Sequence, residues 1–248
     1  MKKILCMLLA ACAAQGIAQT SHKSDGFDMV YVYGGTFTMG CTSEQGADCY
    51  EGEKLTHQVT VGNFYLCKYE ITQAQWTTVM GGNPSYWSGA NLPVEGITWV
   101  EVQEFIDRLN LKTGKNYRLP TEAEWEFAAR GGRKTMGYKY SGSNNPKEVA
   151  WYSENAGEQT HPVGTLKPNE LGLHDMSGNV WEWCSDYYDE YDRKAQTNPT
   201  GPVIGVYRAL RGSSWDYRAR YIRVSRRDYR AADYRYSDVG FRIALSAK

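Results

Sequence analysis

Leu171-Gly172-Leu173-His174-Asp175-Met176-Ser177-Gly178-Asn179-Val180-Trp181-Glu182-Trp183 is the stretch around which the rest of this 248-residue chain organises itself. Gly172, Gly178 and Asn179 are turn formers. Val180, Trp181 and Trp183 are large apolar residues that need a core. Asp175 and Glu182 are carboxylates on either side of a tight turn. Such a turn can aim side-chain and backbone oxygens at one point, the arrangement that calcium prefers. The same residues also describe a structural corner, with two tryptophans in the core and two solvated acids.

Further motifs lie on both sides of this corner. Upstream are residues 29–40 (MVYVYGGTFTMG), Tyr69-Glu70-Ile71-Thr72, and Arg118-Leu119-Pro120-Thr121-Glu122-Ala123-Glu124-Trp125-Glu126. Downstream are Arg211-Gly212-Ser213-Ser214-Trp215 and Gly240-Phe241-Arg242. Taken in order with GNVWEW, they resemble the formylglycine-generating enzyme, or sulfatase-modifying-factor, family, from about Met29 to Ile243. The resemblance implies an α+β domain over residues 29–246, a loop-rich variant of the C-type-lectin-like fold with short helices and short antiparallel strands. It also implies a structural calcium ion held by Asp175, the carbonyls of Gly178 and Val180, and Glu182. The family's second calcium site, around residues 149–165, has no matching ligands.

The family's founding activity oxidises a sulfatase cysteine to formylglycine with copper and a pair of C-terminal cysteines. A cuprous ion needs thiolate ligands. Residues 211–248 contain no cysteine, and Tyr217 and Ile222 stand roughly where the pair would be. The chain is therefore expected to lack copper and the oxidase chemistry. The alternative is an oxidase with a rearranged centre that recruits Cys67 or Cys184. The related iron-dependent sulfoxide synthases use three histidines, but His57, His161 and His174 share no helical face. Glu124 and Glu126 would point to different sides of a helix and make no catalytic pair.

Lys2-Lys3 and the apolar residues 4–11 read as an export signal, too short to span a bilayer. Cleavage after Ala18 would start the mature chain near Gln19. Alternatively, Leu9-Ala10-Ala11-Cys12 resembles a lipobox, with Cys12 as a lipid anchor. Residues 19–28 read as a flexible lead-in. Export places the protein in the periplasm, on the outer membrane or outside the cell, where disulfides persist. Cys41 and Cys49 bracket a polar loop and are expected to pair. Cys67 and Cys184 are either a pair or two buried small hydrophobes. No later run is long enough to cross a membrane. With 28 basic and 28 acidic residues, net charge favours neither nucleic acid nor a membrane surface.

Residues 29–39 alternate as a strand, and residues 57–71 read as two strands around Gly62-Asn63. Thr72 with Gln75, Thr98 with Glu101, and Thr121 with Glu124 each form a capping box that opens a helix. Val102, Phe105, Ile106 and Leu109 give the second helix its apolar face, and Gly114 stops it. Residues 41–54 read as acidic loop and residues 132–172 as turns.

Residues 211–242 hold nine arginines, four aspartates and five tyrosines. Arg, Tyr and Trp dominate binding hot spots. Trp215, Tyr217, Tyr221, Asp228, Tyr229, Tyr234 and Tyr236 are the candidate surface for a protein, peptide or glycan ligand, expected on one exposed face. The competing reading is that these residues stitch loops together. By resemblance, members without the oxidase centre act as scaffolds of the cell envelope. Retroelement-diversified ligand-binding proteins share the fold and carry Tyr and Asp at such positions, here Asp216 and Asp238 as well.

Overall fold

The computed structural model describes residues 21–247. The export signal over residues 1–18 and the lipid anchor at Cys12 lie outside the described residues. In chain order the elements are β1 (Ser21–Ser24), β2 (Phe27–Val32), β3 (Gly35–Met39), α1 (Glu51–Lys54), β4 (His57–Val61), β5 (Phe64–Cys67), α2 (Gln73–Met80), α3 (Trp99–Thr113), β6 (Tyr117–Arg118) and α4 (Glu122–Ala129). There follow α5 (Pro146–Val149), β7 (Trp181–Tyr187), β8 (Gln196–Thr197), β9 (Tyr207–Arg211), β10 (Arg227–Ala231), β11 (Val239–Gly240) and β12 (Ala244–Ser246).

The strands form three sheets, ordered β1-β2-β5-β12-β6, β10-β9-β7-β11 and β3-β4-β8. This is the expected α+β class, with long irregular connections. Two pairings are parallel, β11 with β7 and β4 with β8, where only antiparallel strands were expected. The supposed lead-in is also partly structured, because Ser21–Ser24 pairs antiparallel with β2. The strands β4 and β5 flank Gly62-Asn63 as expected, yet they do not pair with each other. Each joins a different sheet, β4 with β3 and β5 with β2. The chain thus turns from one sheet into the next.

All three capping boxes form. Thr72, Thr98 and Thr121 accept from the backbone N–H of Gln75, Glu101 and Glu124, whose side chains accept in return from the threonine N–H. Each satisfies two donors that a helix N-terminus leaves orphaned. Val102, Phe105, Ile106 and Leu109 are buried as a stripe on α3, and Gly114 ends the helix with φ 68°. The α3 face packs against Trp76 of α2 and Phe241. The Trp76 and Phe105 rings stack at 5.3 Å, and Phe241 meets Phe105 edge-on at 5.3 Å. A second cluster beneath α4 holds Trp125, Phe127, Met176 and Cys184.

Candidate functional site

The quoted stretch becomes a buried corner leading into β7. Asp175 and Asn179 adopt positive φ, 57° and 58°, and Gly178 has φ 84°. A Cβ on Gly178 would lie 2.2 Å from the Trp151 carbonyl oxygen, so only glycine fits there. Asn179 is the hub of the corner. Its Oδ1 accepts from His161 N (2.9 Å), its Nδ2 donates to Glu70 (2.6 Å), and its carbonyl accepts from Trp215 N (2.9 Å).

Glu182 is fully buried and faces Arg242, not an open pocket. The Arg242 Nε and Nη2 donate to Glu182 Oε2 (2.6 Å) and Oε1 (2.7 Å). Trp125 Nε1 donates to Oε2 as well, at 2.7 Å. Asp175 Oδ2 accepts from Gly164 N at 2.7 Å, which leaves Oδ1 as the one buried oxygen of this pair without a partner. A calcium ion takes roughly 6–8 oxygens. Glu182, with both oxygens taken by Arg242 and Trp125, is not free to ligate calcium, and of the carboxylates in the expected set Asp175, Gly178, Val180 and Glu182 only Asp175 offers an unpartnered oxygen. The counter-charge for Glu182 comes from Arg242, sixty positions away and invisible to local spacing. Burial pushes the Asp175 carboxyl up to about 6, with the Gly164 N–H and Arg242 opposing. Burial, reinforced by Asp175 and Glu182, pushes Glu70 well up too.

The other motif arginines follow the same pattern. Arg211 donates to Glu122 (2.9 Å), Glu126 (2.7 Å) and the Val224 carbonyl (2.7 Å). Arg227 clamps Glu122 at 2.7 and 2.6 Å, and Arg223 clamps Glu53 at 2.6 and 2.9 Å. Burial alone would raise the Glu122 carboxyl, but Arg227 and Arg211 outweigh it and hold it below its ordinary value. Glu53 is likewise held down, with Arg223 and Ser225 overcoming burial. Glu122 and Glu126 are therefore structural anchors. Four residues apart, they lie on one face of α4, where Arg211 meets both.

Above this floor lies the candidate ligand face. Tyr217 is half-buried, edge-on to Trp181 at 5.5 Å and to Tyr221 at 6.0 Å. Tyr221 stacks on Tyr50 at 5.9 Å, and Arg226 lies 4.4 Å over the Tyr50 ring. Asp228 holds Arg230 (2.9 Å) and Arg226 (3.4 Å), and Arg230 covers Tyr234 at 5.3 Å. Tyr236 stacks on Tyr234 at 5.3 Å and is 57% exposed. Trp215 meets Trp87 edge-on at 5.1 Å, and Trp87 meets the exposed Tyr86 at 5.0 Å. Trp215 Nε1 is buried and donates to nothing. Nearby, Glu95 accepts from Trp87 N through Oε1, while its buried Oε2, with the Tyr86 N–H close by, makes no full hydrogen bond among the described residues. Burial pushes the Glu95 carboxyl up to about 7.

Tyr229 is not part of this face. It lies one residue from Asp228 on β10, and successive strand side chains point to opposite faces. Its ring packs against Tyr188 (4.4 Å) and Tyr207 (4.9 Å) on the side that carries Arg227. The sequence reading missed Tyr50, Tyr86, Trp87, Glu95, Arg226 and Arg230. The period-2 pattern of residues 227–231 could have separated Tyr229 from Asp228 and added Arg230. No local signal marks the others.

Cys41 and Cys49 form the expected disulfide, with Cα atoms 6.1 Å apart. Cys67 and Cys184 are free and buried in separate clusters. Burial pushes the Cys67 thiol up to about 11, and burial with Asp186 and Glu122 raises Cys184 as well. Thiols held protonated are poor copper ligands, and Ile222 sits buried beneath Tyr217. The residues present do not fit the oxidase centre. The three described histidine rings of His57, His161 and His174 each contact a backbone carbonyl, and among the described residues no group of three or more His, Cys, Asp or Glu is arranged to hold a metal.

Fold and site together define a formylglycine-generating-enzyme-like domain in which the motif residues build buried ion pairs and the thiol centre is missing. Residues 14–247 match the model of the sulfatase-modifying factor enzyme 1-like domain, so the chain belongs to the sulfatase-modifying-factor family. The chaperone protein LppX of Paenibacillus barcinonensis is 36% identical over 86% of this chain and 88% of its own length. The formylglycine-generating enzyme of Mus musculus is 28% identical over 87% of this chain and 74% of its own. Treponema denticola variable protein 1 superposes with a TM-score of 0.84 at 30% identity, covering 94% of this chain and 100% of that one.

Proposed function

We propose that this protein is an exported envelope module without oxidase activity, which binds a polypeptide ligand through the face built by Trp215, Tyr217, Tyr221, Asp228, Tyr234 and Tyr236. The observation that carries the reading is that face itself. Trp215, Tyr217, Tyr221, Tyr234 and Tyr236, with Arg226 and Arg230, are half-buried or exposed, and beside them Trp215 Nε1 and Glu95 Oε2 are desolvated and unpartnered among the described residues. A buried polar group without a partner costs about 1–3 kcal/mol, and a ligand offering an amide would relieve both. The Cys41–Cys49 disulfide supports an oxidising compartment. Among the described residues no helix is long and apolar enough to cross a membrane. The chaperone name borne by LppX accords with a polypeptide ligand.

The test is a peptide array and a glycan array probed with the wild type and with Tyr217→Ala, Tyr234→Ala and Tyr229→Ala. The expected result is peptide binding that falls about tenfold or more in the first two variants and is unchanged in the third. Equal binding by all four proteins would refute the assignment of the face.

A second reading rests on the likeness to Treponema denticola variable protein 1. Under it the C-terminal stretch, including this face and Tyr229 behind it, varies between copies of the gene. Sequencing the locus across isolates would show changes concentrated at the codons for Asp216, Tyr217, Tyr221, Asp228, Tyr229, Tyr234, Tyr236 and Asp238. An invariant stretch would exclude it.

A further inference from the structure

A cavity of about 620 Å3, lined by none of the aromatic-face residues, lies between the end of β7, the start of α4 and the loop that follows Tyr187. We propose that it binds an organic cation, the ammonium or guanidinium group of a basic peptide side chain.

The anchor is Asp186, which lines the cavity and is only 4% exposed. Its Oδ2 accepts from Glu122 N (3.0 Å) and Ser185 Oγ (2.8 Å), while its Oδ1 accepts no hydrogen bond among the described residues of this cavity wall. Gly201 brings the overlying loop down onto it, since a Cβ there would lie 2.9 Å from the Asp186 Cβ. The buried carboxylate thus has one committed oxygen and one waiting.

Charge around it is lopsided. Asp189, Glu190 and Asp192 also line the cavity and are exposed. Arg227 is the only lysine or arginine among the described lining residues. Its guanidinium is spent on Glu122, at 2.6 and 2.7 Å. His57 Nδ1 is engaged with the Leu55 carbonyl. Asp192 has Lys194 at 3.4 Å, but among the described residues Asp186, Asp189 and Glu190 have no cationic side chain within ion-pair distance, Arg208 acting on Asp186 only from farther off. In a chain with no net charge this is a local surplus of negative charge. Burial, with Glu122 close by, pushes the Asp186 carboxyl up to about 7.

The dimensions favour an organic cation over a metal ion. Small-ligand pockets run to roughly 300–1,000 Å3, and this cavity is within that range. Met39, Ala123, Pro199 and Pro202 offer apolar surface for an alkyl stem. Tyr191 already lies 3.8 Å under one guanidinium, that of Arg227, so the wall is suited to cation–π contact.

The test uses the full chain and isothermal titration at low ionic strength and near-neutral pH. The probes are acetyl-Gly-Lys-Gly-amide, acetyl-Gly-Arg-Gly-amide and the neutral control acetyl-Gly-norleucine-Gly-amide. Calcium chloride and magnesium chloride are titrated separately. We expect saturable one-to-one binding of the lysine or the arginine peptide, at least about tenfold tighter than the control, as a charged hydrogen bond provides. Asp186→Asn, whose amide oxygen still accepts from Ser185 and Glu122, should weaken binding by about tenfold. Asp189→Asn with Glu190→Gln alters only the exposed rim and should weaken it by roughly two- to fivefold, with a smaller salt dependence. Tyr217→Ala should leave it unchanged, which separates this site from the aromatic face. Equal affinity for the norleucine peptide would overturn the proposal, as would no saturable binding. So would displacement of the peptide by either metal ion, or binding that survives both the Asp186 and the rim substitutions.

Discussion

Replacing Arg242 by methionine tests the idea that buried ion pairs hold this fold together. The substitution keeps most of the side-chain volume and removes the guanidinium. Glu182 then loses both bonds from Arg242, at 2.6 and 2.7 Å, and keeps only Trp125. The carbonyls of His174 (3.0 Å) and Cys67 (3.2 Å) lose a donor at the same time. Both partners are 0% exposed, so the stranded carboxylate cannot turn to water. Breaking one side of such a pair costs about 3–5 kcal/mol. For a domain of this size that corresponds to a fall in Tm of roughly 6–20 °C. The double variant Arg242→Met, Glu182→Met removes the stranded charge and should recover most of the loss. Urea unfolding of wild type, both single variants and the double variant gives the coupling free energy, and an unchanged m-value confirms that only the folded state was perturbed. A single-variant cost under about 1 kcal/mol, or a double variant as poor as the sum of the singles, would refute the reasoning.

Stability should peak near pH ~5. Asp175, Asp186 and Glu95 have carboxyls raised to about 6, 7 and 7, so their contribution is complete below the ordinary carboxyl value and is lost as pH rises through those values. Glu53 and Glu122 are held down, so theirs is present above the ordinary value and is lost as pH falls through the lowered one. A thermal-melt series from pH ~3 to ~8 that rises monotonically to neutrality would contradict this balance. Calcium should not change Tm relative to EDTA, because Glu182 is occupied by Arg242; a calcium-dependent rise abolished by Asp175→Ala would reverse that conclusion. Reduction of the Cys41–Cys49 disulfide, which closes a loop of sequence separation 8, should cost about 2–3 kcal/mol in paired unfolding curves with and without reductant. Thr98→Ala removes the cap of α3 and should cost about 1 kcal/mol, seen as an earlier unfolding midpoint.

The parts of this protein legible in its sequence are those decided within a few residues. A capping box needs one threonine and one Gln or Glu three positions on, so all three helix starts could be read directly. The apolar stripe of α3 and the glycine that ends it are equally local. So is the Cys41–Cys49 pair, whose short loop leaves little choice of partner. The six ordered motifs gave the family. Where pairing depends on distant chain, the reading failed. The two strands around Gly62-Asn63 were read correctly, but nothing along the chain signals that they enter different sheets. Asp175 and Glu182 look like ligands for an ion, yet Glu182 is answered by an arginine near the C-terminus.

The candidate site divides in the same way. Composition marked residues 211–242 as unusual, and within it Tyr217 meets Tyr221 while Tyr234 stacks on Tyr236. Tyr229 was misplaced because the reading ignored the two-residue period of its own strand. Trp87, Glu95 and Tyr50 were missed because they come from loops and a short helix far upstream. Sequence alone determined the family, the starts of α2, α3 and α4, the disulfide and the absence of cysteine from residues 211–248, since each depends on residue identity or on spacing along the chain, whereas α1 (Glu51–Lys54) and α5 (Pro146–Val149) lie where only loop and turns were read. Tertiary structure alone decided which arginine answers which glutamate, and which carboxylates, Asp186 above all, are left with an oxygen unanswered. Charge compensation in a low-dielectric interior is settled by separations of 3 Å or so in space, and the chain encodes those only by folding.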